Sequence, residues 1–150
     1  MFTDETIGIC MAEEHKTTQN ILKTKAFTVS VGTVDTMVAC DCVGMVSGNK
    51  EQDKFAIAGL HATHSEIVNA PIIDEMPMTL ECELLSYDPE SCHLVGKIVN
   101  ISVDESVLTD GKIDPAKLRP ITYDPVNHDY IELGIRVGKA FSDGKRLLKK

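Results

Sequence analysis

Residues 7–31 read IGICMAEEHKTTQNILKTKAFTVSV, and the changes of character along this stretch decide what kind of fold the chain can adopt. Thr6 to Met11 is short, apolar and partly β-branched, which marks a buried strand. The polar bend AEEHKTTQN follows at 12–20, where Thr17 or Thr18 is placed to cap a short helix whose first turn leaves backbone N–H groups unpaired. Ala26 to Val31 then reads as a second strand that ends at Gly32. A phosphate requires positive charge, hydroxyl donors and unpaired N–H groups, and this bend offers all three. Lys16 would supply the charge, Thr17 and Thr18 the hydroxyls, Asn20 an amide clamp and His15 a second donor. The same residues also read as a plainly capped helix with exposed polar side chains, the commoner outcome of such a pattern. The bend is not a glycine-rich dinucleotide fingerprint, and the sequence contains no Walker loop.

Downstream, Val34, Met37, Val38, Cys42 and Met45 are spaced as on a helix over Thr33–Val46. Ser47-Gly48-Asn49 stops it, with Gly48 free to take a positive φ. Together with Lys50, and with Lys54 beyond, this makes a second polar turn, for which helix punctuation is the plain reading. Glu51 to Leu60 is another short helix closed by Gly59. From His61 onward the character becomes β. Met78 to Leu84 alternates strictly, with Thr79, Glu81 and Glu83 on what the pattern makes a wet face. Tyr87–Glu90 forms a turn, and Cys92–Val103 returns as the partner strand of an antiparallel hairpin. Asp104–Leu118 reads as a loop with short helical pieces around Asp110-Gly111-Lys112, and Tyr130–Leu133 as one more strand. With no linker or repeat, the chain is expected to form one domain over 1–150, mainly β with short helices. About five strands are visible, a number that suggests part of a larger barrel.

Composition narrows the function. The net charge of −8 argues against an electrostatic grip on nucleic acid, and the basic end GKRLLKK reads as a solvated terminus. No apolar run is long enough for a membrane span, and the start MFTDETIGIC lacks the basic residues of a signal peptide, so a cytoplasmic protein is expected. Five cysteines, an odd count without an export signal, are expected as reduced thiols. Cys40-Asp41-Cys42 and the His61/His64 pair lack further ligands at metal spacing, so no metal site is expected. His128 reads as structural, and no nucleophile sits in a recognisable catalytic arrangement.

Taken in order, several segments resemble the flavin reductase-like family, most closely its flavoredoxin branch. The resemblance is carried by residues 7–31 quoted above, then by VACDCVGMVSGNKEQDKF and APIIDEMPMTLECELL, and further by HLVGKIVNISVDESVLTDGKIDPAKLRPITYD and YIELGIRVGKAF. It spans Ile7 to Phe141, and SGNKEQDKF and VLTDGKIDPAKLRP are its most specific parts. It implies a split β-barrel that forms a homodimer and binds FMN near the subunit interface. Glu14, His15, Lys16, Thr17, Thr18 and Asn20 match the family's FMN-phosphate region. Ser30, Val31, Gly32 and Thr33 match a stretch that lines the flavin, and Ser47, Gly48 and Lys54 a second polar segment. Family members normally carry additional strands before the position of Thr6, so an N-terminally shortened barrel is expected, with an edge that must be covered. The implied function is an FMN-dependent oxidoreductase fed by NAD(P)H or a reduced protein partner. In it the flavin does the chemistry and no side chain need act as acid or base. The alternatives are a non-enzymatic FMN electron carrier and a cofactor-free interaction domain.

Overall fold

The centre of the fold is set by an aromatic ring lying over a glycine. The computed structural model describes residues 5–148, so Met1–Asp4 of the acidic start and Lys149–Lys150 of the basic end lie outside the described residues. Four strands form an antiparallel sheet in the order β1-β6-β5-β2, with β1 at Thr6–Cys10, β2 at Ala26–Ser30, β5 at Met78–Asp88 and β6 at His93–Val103. Phe27 on β2 pairs with Cys82 on β5, and its ring reaches over β5 to Gly96 on β6. A Cβ added to Gly96 would lie 2.3 Å from Phe27 Cζ, a distance no packed structure tolerates. Phe27, Ile21, Leu80, Cys82 and Leu94 make up the core cluster, with Ile7, Ile9, Met11, Tyr87 and Ile98 packed around it. Burying each such side chain contributes about 1.5–3 kcal/mol. The Cys82 thiol has no exposure, and desolvation followed by the neighbouring Glu81 charge pushes its pKa up to about 11, so it remains a thiol.

The helix α1 (Lys16–Thr24) lies on this sheet through Thr18 and Ile21, the two residues it buries. Its N-cap is His15, in extended conformation and without a side-chain cap bond, rather than Thr17 or Thr18. Thr18 is drawn inward instead: its hydroxyl, fully buried, donates to the Ala12 carbonyl at 2.8 Å. The second helix, α2, is shorter than its apolar spacing suggests, Met37–Met45 instead of Thr33–Val46. Residues 33–36 are held out of it by a hydroxyl turn, in which Thr36 Oγ1 accepts from the Thr33 N–H at 3.0 Å and pairs with Thr33 Oγ1 at 3.0 Å. The helix ends at Val46 in extended conformation, and Gly48 has no positive φ. The third, α3 (Lys54–Ala58), is shorter than the expected Glu51–Leu60; it is capped by Asp53, whose carboxylate accepts from the Ala56 N–H, and is closed by Gly59, which takes a left-handed conformation.

The remaining strands outnumber those visible in the sequence. They form three two-stranded sheets: β3 (Ala62–His64) with β4 (Pro71–Ile73), β7 (Leu108–Thr109) with β8 (Lys112–Ile113), and β9 (Ile121–Asp124) with β10 (Asp129–Glu132). Asp110-Gly111, expected at the centre of a loop, is the two-residue turn of the β7–β8 hairpin, with φ of 51° and 70°. Positive φ at both positions matches the twist of the flanking strands. The segment at Tyr87, expected as a turn, is still strand, because β5 runs on to Asp88 and pairs it with His93. Short helices α4 (Pro115–Leu118) and α5 (Lys145–Leu148) complete the elements.

The wet face expected on β5 is largely dry. Glu83 is exposed, but Thr79 and Glu81 are each only 1% exposed. The β3–β4 connection and the neighbouring β6 cover them. Ser65 donates its hydroxyl to one Glu81 carboxylate oxygen, and Asn100 Nδ2 and Ser102 Oγ donate to the other at 2.6 Å each. Burial raises the Glu81 pKa, but the three hydrogen bonds outweigh it and hold the carboxyl below its ordinary range. Ser65 Oγ in turn accepts from the Ile67 and Val68 N–H groups, so the carboxylate organises the whole connection.

Two outcomes follow from this packing. Gly96→Ala forces the Phe27 ring from its site and should lower stability by about 1–3 kcal/mol, read from the urea unfolding midpoint. Because the Glu81 pKa is depressed in the fold, its contribution is present above the unfolded carboxyl value of about 4.3 and lost as pH falls through the folded value. Glu81→Gln should therefore destabilise at pH 7, with the gap from the parent narrowing as unfolding is followed into acid.

Candidate functional site

The bend before α1 and the turn after α2, expected separately as phosphate-binding segments, meet in space. Asn49 Nδ2 donates to the Glu14 carbonyl at 2.9 Å, and Gln19 Nε2 donates to the same oxygen at 3.3 Å. Gly48 lies against Lys16: a Cβ there would stand 3.1 Å from Lys16 Cβ, 3.3 Å from its Cγ and 3.7 Å from Lys54 Cδ. The absence of a side chain at Gly48 therefore lets the aliphatic stems of Lys16 and Lys54 converge. The turn itself is held by Ser47, whose carbonyl accepts from the Lys50 and Glu51 N–H groups at 3.0 and 2.9 Å and whose hydroxyl accepts from the Asn49 N–H at 3.3 Å.

Glu14, His15, Lys16, Thr17 and Asn20 are all exposed around this junction, whereas Thr18 is buried beneath it. The first N–H groups of a nine-residue helix open here, beside two cationic side chains. Thr18 reaches the site only as a support, through its bond to Ala12. Asn49 was not singled out by the sequence, because its part depends on a carbonyl 35 residues away. An amide side chain inside a polar turn was the one available signal.

The third expected segment is placed among different neighbours. Val31 N–H donates to the Met78 carbonyl at 2.9 Å, Ser30 Oγ pairs with Thr79 Oγ1 at 2.8 Å, and Ile121 N–H donates to the Gly32 carbonyl at 3.1 Å. Gly32 also admits Cys40, since a Cβ would stand 3.2 Å from the Cys40 sulfur. Thr33 is buried and forms an isolated bridge with Pro120. Ser30–Thr33 is thus a rigid wall, fixed by β5, α2 and β9. Of the expected residues, only Thr33 borders an open cleft of about 510 Å³, which Asp35, Thr36, Glu75 and Lys117 also line. Glu75 also binds His61, which lies outside the cleft lining. The His61 ring nitrogen lies 2.6 Å from the carboxylate, and this hydrogen bond raises the His61 pKa. The His61 backbone N–H, followed by the ring, lowers that of Glu75.

The four-stranded sheet, with two strands of eleven residues and two of five, carries short helices, one of which opens on a cationic polar junction. Comparison with known proteins gives this arrangement a family. Residues 2–125 match the flavin reductase like domain, and the chain belongs to that family. Flavoredoxin of Desulfovibrio vulgaris (Miyazaki F) superposes with a TM-score of 0.87 at 34% identity, over 93% of this chain and 75% of that one. Flavoredoxin from Methanosarcina acetivorans superposes with a TM-score of 0.83 at 26% identity, over 95% and 75% of the two chains. The FMN-binding domain of a flavin reductases-like enzyme from Shewanella baltica OS155 gives a TM-score of 0.78 over 89% and 73%, and at 18% identity it speaks for the fold alone. The fold is that of the flavin reductase-like split barrels, mainly β with short helices, as expected. The matched stretches span only 38% and 55% of the lengths of two curated relatives, each 30% identical.

Replacing Asn49 by Ala removes the bond that ties the 47–50 turn to Glu14. The expected cost is about 1 kcal/mol, with faster hydrogen exchange at the Lys50 and Glu51 amides measured by NMR.

Proposed function

We propose that this chain is an FMN-binding oxidoreductase that passes electrons from NAD(P)H or a reduced protein partner through the flavin. The single observation that supports this best is the junction of residues 14–17 with 47–50 and Lys54. The donor set suits a phosphate monoester: Lys16 and Lys54 supply positive charge, Thr17 an exposed hydroxyl, and α1 its first backbone N–H groups. Gly48 leaves the cradle open, since a side chain there would crowd the Lys16 stem and lie against that of Lys54. The flavin, when bound, supplies the redox chemistry. The protein's part is to anchor the phosphate at the junction and to hold a firm wall at Ser30–Thr33. Hydrogen bonds to Met78, Thr79 and Ile121 keep that wall in place before any ligand arrives. The chain works as a homodimer in this reading, and in a reducing, cytoplasmic setting, which suits its five free cysteines.

A second reading is a carrier that exchanges electrons only with protein partners. The net charge of −8 favours it, because an acidic body steers toward basic partners. Titration with NADH and NADPH separates the two: bleaching of the flavin spectrum at a useful rate supports the reductase, and reduction by protein partners alone supports the carrier. A purified protein that stays colourless after incubation with FMN removes both.

Lys16→Ala combined with Thr17→Val alters two exposed side chains and leaves Thr18 at its post. Loss of one or two charge-assisted hydrogen bonds should weaken FMN binding by about ten- to a hundredfold, measured by fluorescence quenching. Unchanged affinity would sink the proposal.

A further inference from the structure

We infer that Asn49, seconded by Gln19, is a positioning residue of the junction: the two amides clamp the Glu14 carbonyl and so hold the Lys54 stem beside that of Lys16. The inference rests on the phosphate anchor proposed above and adds to it two side chains that act through others. Its basis is the convergence of two side-chain amides on one backbone oxygen. Asn49 Nδ2 reaches it at 2.9 Å from the turn after α2, and Gln19 Nε2 at 3.3 Å from α1 itself. A carbonyl oxygen has two lone pairs, and one left unpaired beside an anion repels it. Glu14 directly precedes the N-cap His15, so its carbonyl stands next to the opening of α1. With both amides bound, its lone pairs are spent within the protein, and the His15 N–H of the same peptide unit donates to the Ala12 carbonyl at 3.2 Å. The helical ladder begins only with the Gln19 N–H on the His15 carbonyl, at 3.1 Å. What the junction keeps for an anion is therefore donors: the N–H groups of Lys16, Thr17 and Thr18, the Thr17 hydroxyl and the two lysines.

Asn49 does more than Gln19. Gln19 ties α1 to its own bend across five residues, whereas Asn49 ties that bend to a turn 35 residues away in the chain. An unbroken series of bonds carries this tie onward to Lys54. The Asn49 N–H donates to the Ser47 hydroxyl, the Ser47 carbonyl accepts from Glu51, and the Glu51 carboxylate accepts from the Asp53 N–H at 3.0 Å. Asp53 in turn caps the helix that Lys54 opens. The tie has a task, because converging lysine stems bring like charges together, and these repel until an anion arrives. Gly48 gives the room for that approach, and the Asn49 bond to Glu14 keeps the two segments from parting. The cost of assembling the cations is then met by folding and not by the ligand.

Binding of FMN and of riboflavin to the full chain, followed by flavin fluorescence, tests this, because the two ligands differ in the phosphate alone. The parent should favour FMN. Asn49→Leu and Gln19→Met keep the bulk of each side chain and remove its donor, and far-UV circular dichroism confirms that they fold; Asn49→Ala serves if Asn49→Leu does not. Asn49→Leu should weaken FMN binding by about five- to tenfold and Gln19→Met by about two- to threefold. Riboflavin binding should stay as in the parent, whereas a general loosening of the fold would weaken both flavins. Lys54→Ala should cost about tenfold in the parent but no more than about twofold beside Asn49→Leu, since a lysine no longer held in place has little left to lose. Beside Gln19→Met the Lys54→Ala loss should remain whole. Asn49→Leu with unchanged FMN affinity, with equal losses for both flavins, or with a loss that adds fully to that of Lys54→Ala overturns the inference. The phosphate anchor still stands in those cases if Lys16→Ala with Thr17→Val weakens FMN. Unchanged FMN affinity in Gln19→Met removes Gln19 from the clamp. A parent that binds riboflavin as tightly as FMN, or binds neither, overturns the anchor and the clamp together.

Discussion

The contact between the Phe27 ring and Gly96 is the constraint on which the rest of the structure depends. It spans three strands, since Phe27 belongs to β2 and Gly96 to β6 with β5 between them. A slip of one residue in either pairing would turn Phe27 to the other face or bring a side chain under its ring. The contact therefore holds the register of the central sheet, and with it the floor on which Ile21 seats α1. The first turn of α1 is where the cationic junction opens. A core contact thus decides where an exposed site stands.

The second face of the sheet is organised by a buried charge beside a small apolar cluster of Ala26, Val68 and Ala70. Glu81 is a buried carboxylate whose three hydrogen-bond donors come from the β3–β4 connection and from β6. A buried charge is costly unless its lone pairs are satisfied. Here they are, and no buried side-chain polar atom among the described residues lacks a partner. The network does for the β3–β4 connection what Phe27 does for the strands: it gives a polar segment one position.

Much of the candidate site was legible one segment at a time. Lys16 and Thr17 are a charge and a hydroxyl in a polar bend before a helix, and local chemistry is enough to find them. The bond from Asn49 to Glu14 and the need for Gly48 beside Lys16 were not legible, because each joins positions more than thirty residues apart. Gly48 illustrates the difference. Its turn context suggested a positive φ, yet its structural reason is the room it leaves for the Lys16 stem. Thr18 erred in the other direction: its position in the bend suggested a ligand or cap, and helical geometry turned its side chain inward to Ala12.

What the sequence by itself determined is the succession of local states: a β-branched apolar run, a polar bend, a short amphipathic helix, and the long alternating pair at 78–103. Each of these depends on neighbours within a few residues, so propensity and periodicity express it directly. The tertiary structure alone decided the dryness of Thr79 and Glu81, the shortening of α2 by the Thr33–Thr36 hydroxyl turn, the strand at Ile121–Asp124 and the meeting of two polar turns. Those features depend on which distant segment covers or bonds a residue, and a one-dimensional pattern carries no record of that neighbour until the chain has packed.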